Sequence, residues 1–148
     1  KDLKEILKTN FISIFEIMKI FSVFSIKHNL TSSVVNIGSI VGENGFKELA
    51  GYSASKGALK SLTKSFAVEY AKKNIRANVI NPGFIKTSYY EKFKKKNKNL
   101  YNWTLSRTPQ GRWGEPLEVV NLIEFLLSDD ASYITGANIN IDGGWLGA

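Results

Sequence analysis

The stretch Ser33-Val34-Val35-Asn36-Ile37-Gly38-Ser39-Ile40-Val41-Gly42-Glu43-Asn44-Gly45-Phe46-Lys47-Glu48-Leu49-Ala50-Gly51-Tyr52-Ser53-Ala54-Ser55-Lys56 passes from a β-branched run through a glycine-containing loop into a helical pattern. Residues 33–37 have the length and composition of a short buried strand. Gly38, Gly42, Gly45 and Gly51 punctuate the loop that follows. Beyond it, Leu59, Leu62, Phe66 and Val68 recur at helical spacing, which predicts a helix over 52–71.

The same reading extends in both directions. Residues 75–80 form a second apolar run, stopped by Asn81-Pro82-Gly83. Residues 138–141 form a third, ending at Asp142-Gly143-Gly144. An amphipathic helix is predicted over 117–127, with Glu115-Pro116 as its start signal. Upstream, residues 2–27 read as one long helix, apolar on most faces through Phe11, Phe15, Met18, Ile20 and Phe24. A helix of that kind is buried or pairs with another subunit. Residues 88–116 read as long and irregular, holding at most one short helix. Helices alternating with buried strands predict an α/β parallel sheet. Three strands make a thin sheet, and the first would have an open edge.

Composition bounds the function. The 148 residues suit one domain, with 43% hydrophobic and 22% charged residues. The absence of cysteine excludes disulfides and thiolate metal sites and fits a reducing, cytoplasmic setting. One histidine, His28, excludes a multi-histidine metal centre and reads as a surface or capping residue. Much of the net charge of +7 sits in residues 91–98, with five lysines and one acid. No zinc-finger, RNP or basic-zipper pattern accompanies that run, so it reads as a solvated, mobile loop and nucleic acid is not expected as a partner. A further reading is a basic binding module working through Lys92 to Lys98. Lys8, Glu16 and Lys19 interrupt residues 6–26, so no membrane span is expected.

The chemistry lies at three positions. Tyr52 follows Ser39 by 13 residues and precedes Lys56 by four. On a helix the last two share a face. A tyrosine phenol is a weak base at neutral pH, and an ammonium close by favours its ionised form. A serine at the C-terminal end of a strand stands where ligands bind in open α/β sheets, and its hydroxyl can hold a substrate oxygen as charge develops.

This serine, tyrosine and lysine pattern, with the small-residue run Ser53-Ala54-Ser55-Lys56-Gly57-Ala58, resembles the catalytic signature of the short-chain dehydrogenase/reductases. The resemblance extends from about Leu7 to Trp145, and its C-terminal segments are similar to those of 3-oxoacyl-acyl-carrier-protein reductases and gluconate 5-dehydrogenases. It implies the C-terminal, catalytic part of a Rossmann-type doubly wound parallel sheet over residues 1–148, with the N-terminal strands missing. It also implies hydride transfer between NAD or NADP and a small carbonyl or alcohol substrate. Tyr52 would be the acid/base, Lys56 its tuning partner and ribose ligand, Ser39 the substrate-orienting hydroxyl, and Asn10 the support of a proton relay. Pro82, Gly83, Ile85 and Thr87 would meet the nicotinamide end of the cofactor, Ile85 through its backbone. A homo-oligomer is implied as well. The segments that would hold adenine, ribose and pyrophosphate have no counterpart, since no glycine-rich dinucleotide turn occurs. The alternative is a truncated, non-catalytic chain acting as a dimerisation module.

Overall fold

The computed structural model describes residues 2–148. Three parallel strands, β1 (Ser32–Ile37), β2 (Ile75–Pro82) and β3 (Asn138–Ile141), stand in the order β1-β2-β3. Val34 pairs with Ala77 and Ile80 with Ile139, so the register follows the apolar runs. No strand covers the outer edge of β1 among the described residues.

Alternation along the strands sends side chains to two layers of helices. On one face, Ile75 and Ala77 pack with Met18, Phe66 and Ala67, from α2 (Ser13–Lys27) and α3 (Ala50–Tyr70). On the other, Ile80 and Ile139 pack with Leu122, Ile123 and Leu126 of α6 (Pro116–Leu127). The sequence signals that start α6 are physically present: Pro116 occupies the first turn, and Glu118 accepts the Glu115 N–H at 2.7 Å, closing a capping box. Arg76 holds the far end of α6, donating to the Leu126 and Ser128 carbonyls at 2.9 and 3.0 Å.

Three expectations change. Residues 88–116 hold two helices, α4 (Tyr90–Lys96) and α5 (Lys98–Arg107). They are organised by Trp113, whose ring lies 5.1 to 5.6 Å from those of Tyr90, Phe93 and Tyr101 and whose Nε1 donates to Thr104 Oγ1 at 2.7 Å. The lysine run is therefore largely helical rather than loop. The first helix is interrupted: α1 (Leu3–Leu7) leads through a π-helical segment (Lys8–Ile12) into α2. By length and composition alone Leu3–Lys27 is also long and apolar enough to cross a membrane, a test that the core helix of a soluble protein passes as well. Its buried residues Met18, Ser22 and Ser25 lie on one stripe, and Met18 packs on the sheet. His28 caps its C-terminal end.

Candidate functional site

The site is built where β1 ends. Gly38 N–H donates to the Ile80 carbonyl at 2.7 Å, and a Cβ on Gly38 would come within 2.2 Å of Asn81 Oδ1, so only glycine fits. Ser39 follows in extended conformation and caps a short 3-10 turn (Ile40–Gly42), its Oγ accepting the Val41 N–H at 3.2 Å. That turn lies directly on α3. A Cβ on Gly42 would meet Lys56 Cβ at 3.0 Å, and Ser53 Oγ donates to the Val41 carbonyl at 2.8 Å.

On α3, Lys56 Nζ is 5.7 Å from the centre of the Tyr52 ring. The same nitrogen donates to the Ile37 carbonyl, one residue before Gly38, at 2.7 Å. Burial pushes the Lys56 pKa below the ordinary lysine value. Asn10 reaches α3 from the π-helical segment, and its Nδ2 donates to Ser55 Oγ at 3.2 Å. Ser55 is fully buried and donates in turn to the Tyr52 carbonyl at 2.7 Å. Asn10 is thus linked to the helix between Tyr52 and Lys56, and not to the Lys56 amine directly. Asn10 and Tyr52 share an open cleft of about 1100 Å³ with Leu3, Thr9 and Leu49. Among the described residues no hydrogen bond joins Ser39 Oγ to the Tyr52 hydroxyl; the Ser39 oxygen is engaged with Val41.

Pro82 ends β2, and Gly83 N–H donates to the Ile141 carbonyl at 3.0 Å. A Cβ on Gly83 would lie 2.8 Å from Asp142 Cα, so the glycine permits this backbone approach. Ile85 forms a parallel bridge with Gly114, made by Gly114 N–H to Phe84 O and Lys86 N–H to Gly114 O, both at 2.9 Å. In that geometry Ile85's own N–H points away from Gly114, and it finds no partner among the described residues. Its carbonyl accepts the Thr87 N–H at 2.9 Å, and Thr87 itself is exposed. Ile85 also lines a smaller cavity of about 320 Å³ with Phe84, Gln110 and Asp142.

One participant escapes sequence reasoning. Trp145, only 2% exposed, forms a cluster with Ile40 and Val41, against which Phe46, Tyr52 and Phe84 pack. The Arg107 guanidinium lies 5.4 Å from the Trp145 ring centre. In the sequence, Asp142-Gly143-Gly144-Trp145 reads as a closing turn, and nothing local ties Trp145 to Tyr52.

The chain has relatives of known family. The family described as enoyl-(acyl carrier protein) reductase matches residues 1–146. The 3-oxoacyl-acyl-carrier-protein reductase FabG of Thermotoga maritima is 40% identical over 144 residues, which is 97% of this chain and 57% of that protein. FabG of Rickettsia felis is 39% identical over 140 residues, 95% of this chain and 55% of that protein. The chain therefore spans just over half the length of these curated relatives. Among solved structures, 4-hydroxyisoleucine dehydrogenase complexed with NADH superposes with a TM-score of 0.94 at 38% identity, covering 99% of this chain and 60% of that one. ElxO with NADP bound superposes with a TM-score of 0.91 at 34% identity, covering 99% and 59%.

Proposed function

This chain belongs to the short-chain dehydrogenase/reductase family, and on that premise we propose that it supplies the catalytic residues of an NAD- or NADP-dependent oxidoreductase acting on a small carbonyl or alcohol. The observation that carries the reading is the seating of the Ser39 turn on the face of α3 that bears Tyr52 and Lys56, with Lys56 anchored to the strand end at Ile37.

The residues present fit the nicotinamide end of the cofactor. The free Ile85 N–H and the adjoining carbonyl offer a donor and an acceptor suited to a carboxamide. Lys56 has hydrogens left after its bond to Ile37 for a ribose hydroxyl. No glycine-rich dinucleotide turn occurs in the sequence, so these residues do not by themselves cradle a pyrophosphate. When bound, the nicotinamide supplies or accepts the hydride. Tyr52 gives its phenol proton to the carbonyl oxygen in reduction and takes it back in oxidation. The Lys56 ammonium stabilises the phenolate left behind. Ser39 Oγ accepts the Val41 N–H and keeps its own hydrogen to donate to the substrate oxygen, and Asn10 supports the helix position at Ser55. The lack of cysteine fits a cytoplasmic enzyme.

Self-association accompanies this reading. Ile12, Phe15, Ile17, Ile20, Val23 and Phe24 are each 44% exposed or more along the first helix, an apolar surface of the kind that marks an interface.

Titrating the chain with NADH and NADPH by fluorescence, and assaying carbonyl reduction, tests the function. Weak cofactor binding and little turnover are expected from the chain alone. In an active assembly, Tyr52→Phe should abolish turnover while preserving cofactor affinity, because the ring still packs and only the transferable proton is lost. Turnover by Tyr52→Phe at the unsubstituted rate would reject the acid/base assignment. No cofactor binding together with retained self-association would favour the dimerisation-module alternative.

A further inference from the structure

A polar network crosses the sheet on the face that α3 covers. Asn81, 2% exposed at the end of β2, donates through Nδ2 to Asn138 Oδ1 at 2.8 Å and to Asn140 Oδ1 at 2.9 Å. Asn138 passes the connection on, its Nδ2 donating to Glu43 Oε1 at 2.6 Å. The other oxygen, Glu43 Oε2, accepts from Lys60 Nζ at 2.7 Å. Lys60 is one helical turn beyond Lys56 and lies on the same face of α3. Glu43 immediately follows the turn that Ser39 caps. A single carboxylate therefore joins the Ser39 turn, the helix of Tyr52 and Lys56, and the third strand. The network grips the other side of Ser39 as well, since the Asn81 amide fills the space beside Gly38.

The Glu43–Lys60 pair is sheltered, with side-chain exposures of 23% and 26%, which distinguishes it from the chain's open surface pairs. Taking Ser39, Tyr52 and Lys56 as the catalytic set, we propose that Glu43 is a positioning residue, whose carboxylate sets the Ser39 turn against α3 and β3 through Lys60 and Asn138. The charged groups facing it come from α3 alone, Lys60 and more distantly Lys64; β2 and β3 present only asparagine amides. The Lys60 hydrogen bond holds the Glu43 pKa below the ordinary carboxylate value, against partial burial and with help from Asn138. The link persists at neutral pH and weakens as the carboxyl protonates in acid.

Glu43→Gln removes the charge and keeps the side chain's shape, so the fold should persist. Amide hydrogen exchange then reads the loop. Protection of residues 41–44 should fall about fivefold, the loss of one charge-assisted contact, while amides of α6 stay as they were. In an active assembly the same variant should lower kcat about fivefold at unchanged cofactor KM, and the exchanged pair Glu43→Lys with Lys60→Glu should recover part of both losses. Unchanged protection of residues 41–44 in Glu43→Gln and Glu43→Ala, or a uniform loss over the whole fold, would overturn the proposal. Loosened loop amides with kcat intact would also overturn it, because the turn would then move without consequence for the site. Loop amides that respond as expected beside Ser39→Ala and Tyr52→Phe variants of full activity would instead refute the catalytic set, leaving Glu43 to order a loop only.

Discussion

Replacing Lys56 by Met separates a residue kept for chemistry from one kept for stability. The substitution preserves the apolar stem and deletes the ammonium. Two effects then oppose each other. The chain loses the 2.7 Å hydrogen bond from Nζ to the Ile37 carbonyl, a charge-assisted contact of about 2 kcal/mol. It also escapes the desolvation of a partly buried ammonium, about 2 kcal/mol for a group that retains some water. The net change at pH 7 should lie within about 1 kcal/mol of zero by urea denaturation, while in an active assembly NADPH or NADH affinity and turnover collapse. The pH dependence follows from the direction of the pKa shift. Burial lowers the Lys56 pKa from 10.5, so between the lowered value and 10.5 the unfolded chain binds more protons than the folded one. Native stability relative to the Lys56→Met variant should therefore rise as pH climbs through that window and level off above it. A loss of more than about 2 kcal/mol at pH 7, or a difference between the two proteins that stays flat up to pH 10.5, would refute this reasoning and make Lys56 a structural anchor.

Two further outcomes follow from surface features. Glu118 accepts Arg112 at 2.8 and 2.7 Å, which lowers its pKa from 4.5 to about 2. Its contribution to stability is complete above pH 4.5 and fades as pH falls toward 2, so Glu118→Gln should flatten the acid limb of Tm against pH, and superimposable acid limbs would dismiss the pair. Substituting Phe15 and Ile20 together by Glu, at positions 44% and 69% exposed, should convert an associated species to a monomer in light scattering; an unchanged mass would place the interface elsewhere.

Much of this molecule is legible in its sequence because the informative signals are local. The β-branched runs, the Glu115-Pro116 start and the spacing of Ser39, Tyr52 and Lys56 each involve residues close along the chain. What stays hidden depends on distant partners. α4 carries too many lysines to show an apolar stripe, and it forms because Tyr90 and Phe93 close around Trp113 from another segment. A π-helical segment has no compositional signature, yet the one at Lys8–Ile12 brings Asn10 to Ser55. Trp145 meets Ile40 and Val41 across about a hundred residues, and Glu43 meets Asn138 across nearly as many. Apolar composition alone also could not separate a membrane-competent helix from one whose Met18 stripe sits on a sheet.

The asparagines explain why so thin a sheet holds one register. Asn36, Asn78 and Asn81 are all buried in strands, where an unpaired amide costs about 1–3 kcal/mol. Each is satisfied by a specific neighbour. Asn36 Nδ2 donates to Thr63 Oγ1 at 2.8 Å, and Asn78 joins the Ile134 carbonyl and the Ala137 N–H at 2.9 and 3.0 Å. Asn81 completes the set through Asn138 and Asn140. A slip of one residue would turn every one of these amides to the opposite face, away from its partner. Apolar residues at the same positions would tolerate such a slip with far less penalty. The polar strand positions thus trade core area for a fixed register, and the register fixes where β1 ends. Since Ser39 follows that point, amides buried in the sheet help to set the geometry of the candidate site.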